Sequence, residues 1–183
     1  MSDPIVIKAP LDDKVISKLK AGDAILIEGS IFTARDSAHQ KLAELIKKKA
    51  KLPFNPKGNI VFYAGPTPSK NSLVGSIGPT TASRMDPFTE PLLKLGLKGM
   101  IGKGPRSKEV KGMMKKYKAI YFVATGGAAA LYAQTVKKAE MIAFPELGPE
   151  AILKLEVKLF PAIVAYDISG KDLFEIGQKK YRS

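Results

Sequence analysis

Five side chains in three separate segments could together bind a small dianion. Arg35 lies in GSIFTARDSAH, Thr80, Thr81 and Arg84 lie in VGSIGPTTASRMDP, and Lys103 lies in GMIGKGPRS. An arginine grips a carboxylate through two hydrogen bonds, and a lysine supplies a compact positive charge. Three cations and two hydroxyls therefore suit a small dianion. Residue types alone name neither the acid nor the reaction.

Each of these residues also has a simpler structural interpretation. Arg35 could pair with Asp36 on the surface, and Thr80 or Thr81 could be the N-cap of a helix. From spacing alone, capping is favoured over catalysis at the threonines. His39 lies one helical turn beyond Arg35, and we interpret it as a helix-packing histidine, with orientation of a neighbouring side chain as the alternative.

Two glycine-rich segments were compared with known anion-binding loops. GMIGKGPRS satisfies neither G-x-x-x-x-G-K-[ST] nor G-x-G-x-x-G, which excludes a nucleotide P-loop and a dinucleotide fingerprint. The segment TGGAAA could form an anion-binding nest through Gly126–Gly127. A tight turn with close helix–sheet packing is the favoured interpretation of that loop.

Composition limits the chemistry of this chain. It has no cysteine and one histidine, which excludes a disulfide, a thiol nucleophile and a cysteine-ligated cluster, and argues against a zinc site. Its 183 residues, 45% of them hydrophobic, fit one domain spanning residues 1–183. No apolar run approaches the roughly 20 residues of a membrane helix. We therefore expect a cytoplasmic protein without a membrane partner.

The strong positive charge has three possible explanations. Lys and Arg total 30 against 17 Asp and Glu, a formal charge of +13, which fits nucleic-acid binding, an anionic substrate or a lysine-rich surface. The lysine runs at Lys47–Lys51 and Lys115–Lys118 fall at the ends of predicted helices, where they complement the helix dipole. Aromatic residues do not alternate with the basic ones. We therefore expect no nucleic-acid partner, and a basic nucleic-acid-binding module is the alternative from a different class.

Apolar runs alternate with helical patterns, which predicts an α/β domain. The predicted buried strands are Ala24–Glu28, Asn59–Ala64, Ala119–Ala124 and Ala162–Tyr166. Ala151–Leu159 is favoured as a further strand, with a helix as the alternative. A short strand is predicted before Lys103 and another ending at Gly78–Pro79. The predicted helices are Asp36–Ala50, capped by Asp36, Ser107–Tyr117 and Gly127–Ala133. In such folds the loops at strand ends carry ligand-binding residues.

At these loops the chain resembles the beta region of class I fumarate hydratases and L-tartrate dehydratases, an iron–sulfur hydro-lyase family. The stretches that carry the resemblance are LIEGSIFTARDSAHQKL, IVFYAGPTPSK, VGSIGPTTASRMDPFTEPLL, GMIGKGPRS, YFVATGGAAALYA and EAILKLEVKLFPAIVAYDISG. They cover most of the chain in the family's order. The combination of GPTTASRMD with TARDSAH is highly specific.

The resemblance implies a swivelling β/β/α domain that forms the beta subunit of a two-subunit enzyme. A larger alpha subunit with three cysteines would hold a [4Fe–4S] cluster, and this chain would be inactive alone. The implied reaction is the reversible hydration of fumarate to L-malate, with L-tartrate dehydration as the alternative. A heterotetramer would be one assembly of the two subunits.

The family's site residues carry over one by one. The resemblance implies that Arg35, Arg84 and Lys103 bind the dicarboxylate and that Thr80 is a candidate base. A threonine hydroxyl is a poor base unless neighbouring cations lower its pKa, so Thr80 could instead only orient the substrate. The family often has Gly where this chain has Ser83, a change that could shift Arg84 and alter specificity.

Overall fold

A single sheet of seven strands organises the molecule. The computed structural model describes residues 3–69 and 74–182. The strands are β1 (Ile5–Ala9), β2 (Ala24–Thr33), β3 (Ile60–Phe62), β4 (Gly99–Gly102), β5 (Ile120–Val123), β6 (Val136–Ala143) and β7 (Ile152–Tyr166). Their order is β1-β2-β3-β4-β5-β7-β6, and β7 also pairs with β2. Strands β2, β3, β4, β5 and β7 therefore form a closed ring, with β1 and β6 attached outside it.

The first five strands are parallel, and β7 runs against its neighbours β2, β5 and β6. The helices are α1 (Asp13–Ile16), α2 (Asp36–Lys47), α3 (Asp86–Lys94), α4 (Lys108–Tyr117), α5 (Ala129–Thr135) and α6 (Leu173–Tyr181), and short 3₁₀ helices cover Ala82–Met85 and Pro145–Glu150. Parallel strands need crossovers, and α2, α3 and α4 lie in these connections. In the described part of the chain, no helix is long and apolar enough to cross a membrane.

Strand alternation divides the buried side chains into two clusters. In β3, Ile60 and Phe62 belong to the cluster enclosed by the ring, whereas Val61 belongs to the cluster under the helices. The second cluster receives Leu42 from α2 and Leu92 from α3, with further residues from α4. This period of two is the pattern of strands buried on both faces. The helices are thus fixed against the sheet by apolar packing, and they hold the loops between them.

The structure confirms the α/β class and most predicted elements. The segment predicted at 151–159 is strand from Ile152 onward, and it continues without a break into the predicted strand at 162–166. The prediction of a strand ending at Gly78–Pro79 is wrong, because Pro79 makes just an isolated bridge to Ala64. The predicted cap at Asp36 is also wrong. Arg35 occupies the N-cap position, and Asp36 is the first helical residue.

Candidate functional site

The candidate site lies where four parallel strands end. Near these ends the cross-strand partners are Thr33 with Phe62, Phe62 with Ile101, and Gly102 with Val123. Arg35 follows β2, Lys103 follows β4, and the Gly126–Gly127 loop follows β5. The carboxyl edge of parallel strands is the usual ligand-binding edge of an α/β sheet. The fold therefore brings distant segments of the sequence to one edge.

Asp36 connects the two arginines of the predicted site. Its Oδ1 lies 2.8 Å from Nε of Arg84, and its Oδ2 lies 3.4 Å from Nε of Arg35. The side chains of Arg35 and Asp36 are 27% and 29% exposed, and that of Arg84 is 51% exposed. The sequence interpretation of Arg35 as a partner of Asp36 thus holds, and the same carboxylate also draws Arg84 to Arg35.

Glu150 is a second acidic neighbour of Arg35, and sequence reasoning did not identify it. Its Oε1 lies 3.5 Å from Nε of Arg35, and its Oε2 accepts a 2.7 Å hydrogen bond from the amide of Ser37. Gly65 makes room for this approach, because a Cβ there would lie 2.5 Å from the carbonyl oxygen of Pro149. No local signal in the sequence links 150 to 35, since the contact depends on how the chain folds back.

Thr80 and Lys103 are neighbours through their backbones. The amide of Lys103 donates to the carbonyl of Thr80 at 3.1 Å, and the amide of Ala82 donates to the carbonyl of Lys103 at 2.9 Å. Thr81 and Lys103 form the corresponding parallel bridge. The amide of Thr80 donates to the carbonyl of Tyr63 at 2.7 Å, just beyond β3. Thr80, Thr81 and Ala82 are therefore joined to Lys103 through their backbones at the carboxyl edge. We call these four residues the platform.

The polar side chains of this platform are free to meet a ligand. In residues 3–69 and 74–182, the side chains of Thr80, Thr81 and Lys103 make no hydrogen bond or ion pair. Thr81 occupies the N-cap position of the 3₁₀ helix Ala82–Met85 without a side-chain capping bond. The sequence thus predicted the position of Thr81 correctly, but its hydroxyl does not serve as a cap. Thr80 is half-buried, whereas Thr81 and Lys103 are exposed.

The site carries a net positive charge and is open. Arg35, Arg84 and Lys103 supply three positive charges against two from Asp36 and Glu150. A groove of about 320 Å³ lies beside this edge, lined by Pro66, Thr67, Pro68, Ser69, Val74, Met141, Gly148, Pro149 and Leu153. None of the four predicted site residues lines that groove. The cations thus lie on an open surface and do not enclose a ligand by themselves.

His39 packs inside the molecule directly behind Arg35. It is 1% exposed, its Nδ1 lies 3.1 Å from the carbonyl oxygen of Arg35, and its ring meets Tyr63 edge to face. A carbonyl can only accept, so Nδ1 carries the proton in this contact. Burial lowers the pKa of His39 to about 4, against a smaller opposite effect of the Arg35 carbonyl. A neutral histidine therefore both packs α2 and holds the backbone of Arg35.

The Gly126–Gly127 loop forms a tight turn. Gly127 has φ +86°, a left-handed conformation that favours glycine. The amide of Thr125 donates to the hydroxyl of Tyr132 at 2.6 Å, which ties the turn to α5. Helix α5 begins at Ala129, two residues later than predicted. A Cβ on Gly126 would lie 3.9 Å from Cδ of Lys103, so this turn borders the platform.

The residues of this chain do not fit an iron–sulfur cluster. Such clusters are held by cysteine thiolates, and the chain has no cysteine. Among the residues that the structure describes, no three or more His, Asp or Glu side chains are grouped so that they could hold a metal ion. The arginines and the lysine at this edge are side chains that bind anions.

Comparison with known proteins identifies relatives along nearly the whole chain. A family model described as "Fumarase C-terminus" matches residues 2–177. A protein of Methanocaldococcus jannaschii named "Putative L(+)-tartrate dehydratase subunit beta" is 42% identical over 177 residues, covering 93% of this chain and 91% of the relative.

Longer relatives are similar to this chain over part of their length. Mitochondrial fumarate hydratase 1 of Leishmania major and the anaerobic class I fumarate hydratase of Escherichia coli are each 40% identical over 163 residues. The match covers 87% of this chain and 30% of each of those proteins. The chain therefore spans less than a third of these fumarate hydratases and nearly all of the tartrate dehydratase relative.

Proposed function

This chain belongs to the family described as Fumarase C-terminus, and from that premise we propose that it is the beta subunit of a two-subunit hydro-lyase that reversibly hydrates fumarate to L-malate. The observation that carries the proposal is the convergence of its cations. Arg35 and Arg84 share Asp36, and the backbone amide of Lys103 donates to the carbonyl of Thr80 at the same edge of the sheet. Such positive regions suit a dicarboxylate, because charge-assisted hydrogen bonds to carboxylates are strong.

We propose that a larger, cysteine-containing alpha subunit completes the enzyme. The support is that the chain matches 30% of the fumarate hydratases, so most of each of those relatives lies outside the matched region. The [4Fe–4S] cluster would be bound by the alpha subunit, because this chain has no thiolate to offer. The open position of Arg84 and Lys103 fits a site that another chain closes. Alone, the chain would be inactive.

The proposed roles divide between binding and proton transfer. Arg35, Arg84 and Lys103 bind the two carboxylates, and Thr80 is the candidate base. Dehydration of malate takes a proton from the carbon beside one carboxylate and the hydroxyl from the adjacent carbon, so water is released and a double bond forms. Negative charge builds on that carboxylate, and preorganised cations stabilise it. Thr80 takes the proton if neighbouring positive charge lowers the pKa of its hydroxyl. Otherwise it orients the substrate, and a carboxylate of the alpha subunit takes the proton.

The wider organisation is part of the same proposal. Residues 1–183 would form one beta-type domain of the swivelling β/β/α kind, moving as a body against the alpha subunit. Two copies of each subunit would form a heterotetramer in the cytoplasm. The single seven-stranded sheet with helices packed on it supports one such body.

Dehydration of L-tartrate is the second candidate function. The observation that favours it is the match to the relative named as a tartrate dehydratase beta subunit, which extends over 91% of that protein. L-Malate and L-tartrate are both hydroxylated dicarboxylates, so the same cations suit both. Ser83, where the family often has Gly, lies between Thr80 and Arg84 and would affect the choice between the two substrates.

Reconstitution tests the proposal and separates the two substrates. This chain would be co-expressed with a cysteine-containing alpha chain, the complex isolated by sizing, and its cluster restored without oxygen. We expect co-purification and turnover of fumarate and L-malate exceeding that of L-tartrate, and no turnover by this chain alone. Turnover of tartrate alone would select the second function. A complex that turns over neither substrate would reject both.

A further inference from the structure

Arg106 is a fully buried arginine that the proposed chemistry does not use. Its side chain has 0% exposure, although it lies in the same GKGPRS segment as Lys103. An arginine is almost never fully buried unless its donors are paired, because removing the charge from water is costly. The bonds that compensate for burial therefore show which parts of the molecule Arg106 joins.

The guanidinium donates to three oxygen atoms outside its own loop, and its Nη1 also lies 3.6 Å from the sulfur of Met100. Its Nε lies 2.6 Å from Oδ1 of Asp86, its Nη1 lies 3.2 Å from the hydroxyl of Tyr63, and its Nη2 lies 2.6 Å from the hydroxyl of Thr89. Asp86 and Thr89 belong to α3, whereas Tyr63 follows β3. The rings of Tyr63 and Tyr121 flank the guanidinium at 5.4 and 5.5 Å. Arg106 thus links its own loop to α3 and to the end of β3.

The other bonds of the loop make this link rigid. The second carboxylate oxygen of Asp86 accepts a 2.8 Å hydrogen bond from the amide of Ser107. The amide of Arg106 donates to the hydroxyl of Tyr166 at 2.8 Å, and the hydroxyl of Tyr121 donates to the carbonyl of Gly104 at 2.8 Å. The loop that begins with Lys103 is therefore fixed from both its side chains and its backbone.

Each segment that Arg106 holds adjoins a residue of the proposed site. Asp86 lies two residues after Arg84, and the carbonyl of Tyr63 accepts a 2.7 Å hydrogen bond from the amide of Thr80. Lys103 lies three residues before Arg106 in the same loop. We propose that Arg106, paired with Asp86, is a positioning residue that sets the geometry of Lys103, Arg84 and Thr80 without touching the substrate. The catalytic consequence rests on the proposed function, whereas the structural consequence does not.

A merely structural role gives a different expectation. Replacing a buried ion pair by well-packed apolar groups is often neutral for stability, so burial alone does not show what the pair is for. A positioning role requires that loss of the guanidinium hydrogen bonds to Asp86, Tyr63 and Thr89 disturbs the platform around Lys103 more than the rest of the fold. A lysine at this position keeps the charge but cannot reach three partners in one plane. Comparing Arg106→Lys with wild type therefore separates the effect of the guanidinium hydrogen bonds from that of the positive charge.

Amide hydrogen exchange on the full chain tests the structural part. In Arg106→Lys we expect exchange at the amides of Lys103, Ala82 and Ser107 to rise at least about tenfold, while amides of the inner strands change little. Ile16→Ala is the control, because Ile16 is fully buried in α1, outside the carboxyl edge. Ile16→Ala should raise amide exchange no more at the platform than in the rest of the fold. Unchanged exchange at the three amides, or a uniform rise as in the control, would overturn the proposal.

Kinetics of the reconstituted complex test the catalytic part. We expect Arg106→Lys to lower kcat/KM by about 10- to 100-fold, because misplacement by about 1 Å can cost that much. If Arg106 acts through Lys103, adding Arg106→Lys to Lys103→Met should cost less than about threefold more. Full additivity of the two losses would contradict positioning through Lys103. If the unaltered complex turned over neither substrate, the proposed function would fail, and the exchange result would decide the role of Arg106 by itself.

Discussion

Because the chain has one histidine, one pH-dependent contribution to stability can be assigned to a single residue. His39 is buried behind Arg35, and burial lowers its pKa from 6.5 to about 4. In the unfolded chain the histidine has its ordinary pKa of 6.5. Between about pH 6.5 and pH 4 the unfolded chain therefore binds a proton that the folded chain does not bind. The stabilisation from neutral His39 is therefore complete above about pH 6.5 and is lost as pH falls toward 4.

The magnitude follows from the two pKa values. With pKa 6.5 in the unfolded chain and about 4 in the folded chain, the contribution to the free energy of unfolding changes with pH by up to 2.303RT per pH unit. Lowering the pH from 7 to 5 should reduce that free energy by about 2 kcal/mol through His39 alone. Carboxylates add their own dependence below pH 5, so the comparison belongs above that pH.

Urea denaturation of the wild-type chain and of His39→Asn measures the effect. The asparagine amide can still donate to the Arg35 carbonyl, but it does not titrate. We expect the wild-type free energy of unfolding to fall about 2 kcal/mol further than that of the variant between pH 7 and pH 5. The single histidine NMR signal should titrate well below pH 6. Parallel pH profiles for the two proteins, or a histidine titrating near 6.5, would refute the reasoning.

Two further predictions concern the side chains of the site. Thr80→Val should lower kcat of the complex by about 10²- to 10⁴-fold with a smaller change in KM if the hydroxyl transfers the proton, and Thr81→Val is its matched control. Equal small effects at both threonines would reject the catalytic role, and a reversed pattern would move it to Thr81. Asp36→Asn should change stability by about 1 kcal/mol or less, because its partners are partly exposed. It should raise the KM for dicarboxylate, because Arg84 loses the carboxylate that fixes it, and an unchanged KM would show that Asp36 does not orient Arg84.

Elements with strong local patterns were predictable from the sequence. The segment at Asp36 shows helical spacing of apolar residues, and the helix Asp36–Lys47 forms there with Ala38 and Leu42 buried. The runs NIVFYA and AIYFVA are short and apolar, and each contains a central strand. Such elements carry their own period, which the sequence displays directly.

Elements that depend on distant partners were missed. Strand β1 pairs with β2, and β6 pairs with β7, yet neither was predicted. Strand β1 keeps Ile5 and Val6 exposed and so lacks the alternation of a half-buried strand. Helix α3 was hidden because Pro91 lies inside it, and a proline normally argues against a helix interior.

The sequence motifs predicted four site residues, which stay a prediction, but the acidic neighbours of those residues could not be predicted. The motifs pointed to Arg35, Thr80, Arg84 and Lys103, and the fold places their segments at one edge of the sheet. Their acidic neighbours could not be found in the same way, because Glu150 reaches Arg35 only after the chain returns along the 3₁₀ helix Pro145–Glu150. Arg106 was part of a quoted motif, but its burial depends on packing against α3.

The most direct test of the central claim is the effect of Arg84 on the steady-state kinetics of the reconstituted complex with L-malate. If Arg84 binds a substrate carboxylate, Arg84→Ala should lower kcat/KM by about 30- to 5,000-fold, equivalent to about 2–5 kcal/mol for an unpaired carboxylate. Arg182→Ala is the matched control, since Arg182 is an exposed arginine at the end of α6, and it should leave kcat/KM within about twofold of wild type. Equal kcat/KM for Arg84→Ala, Arg182→Ala and wild type would contradict the account.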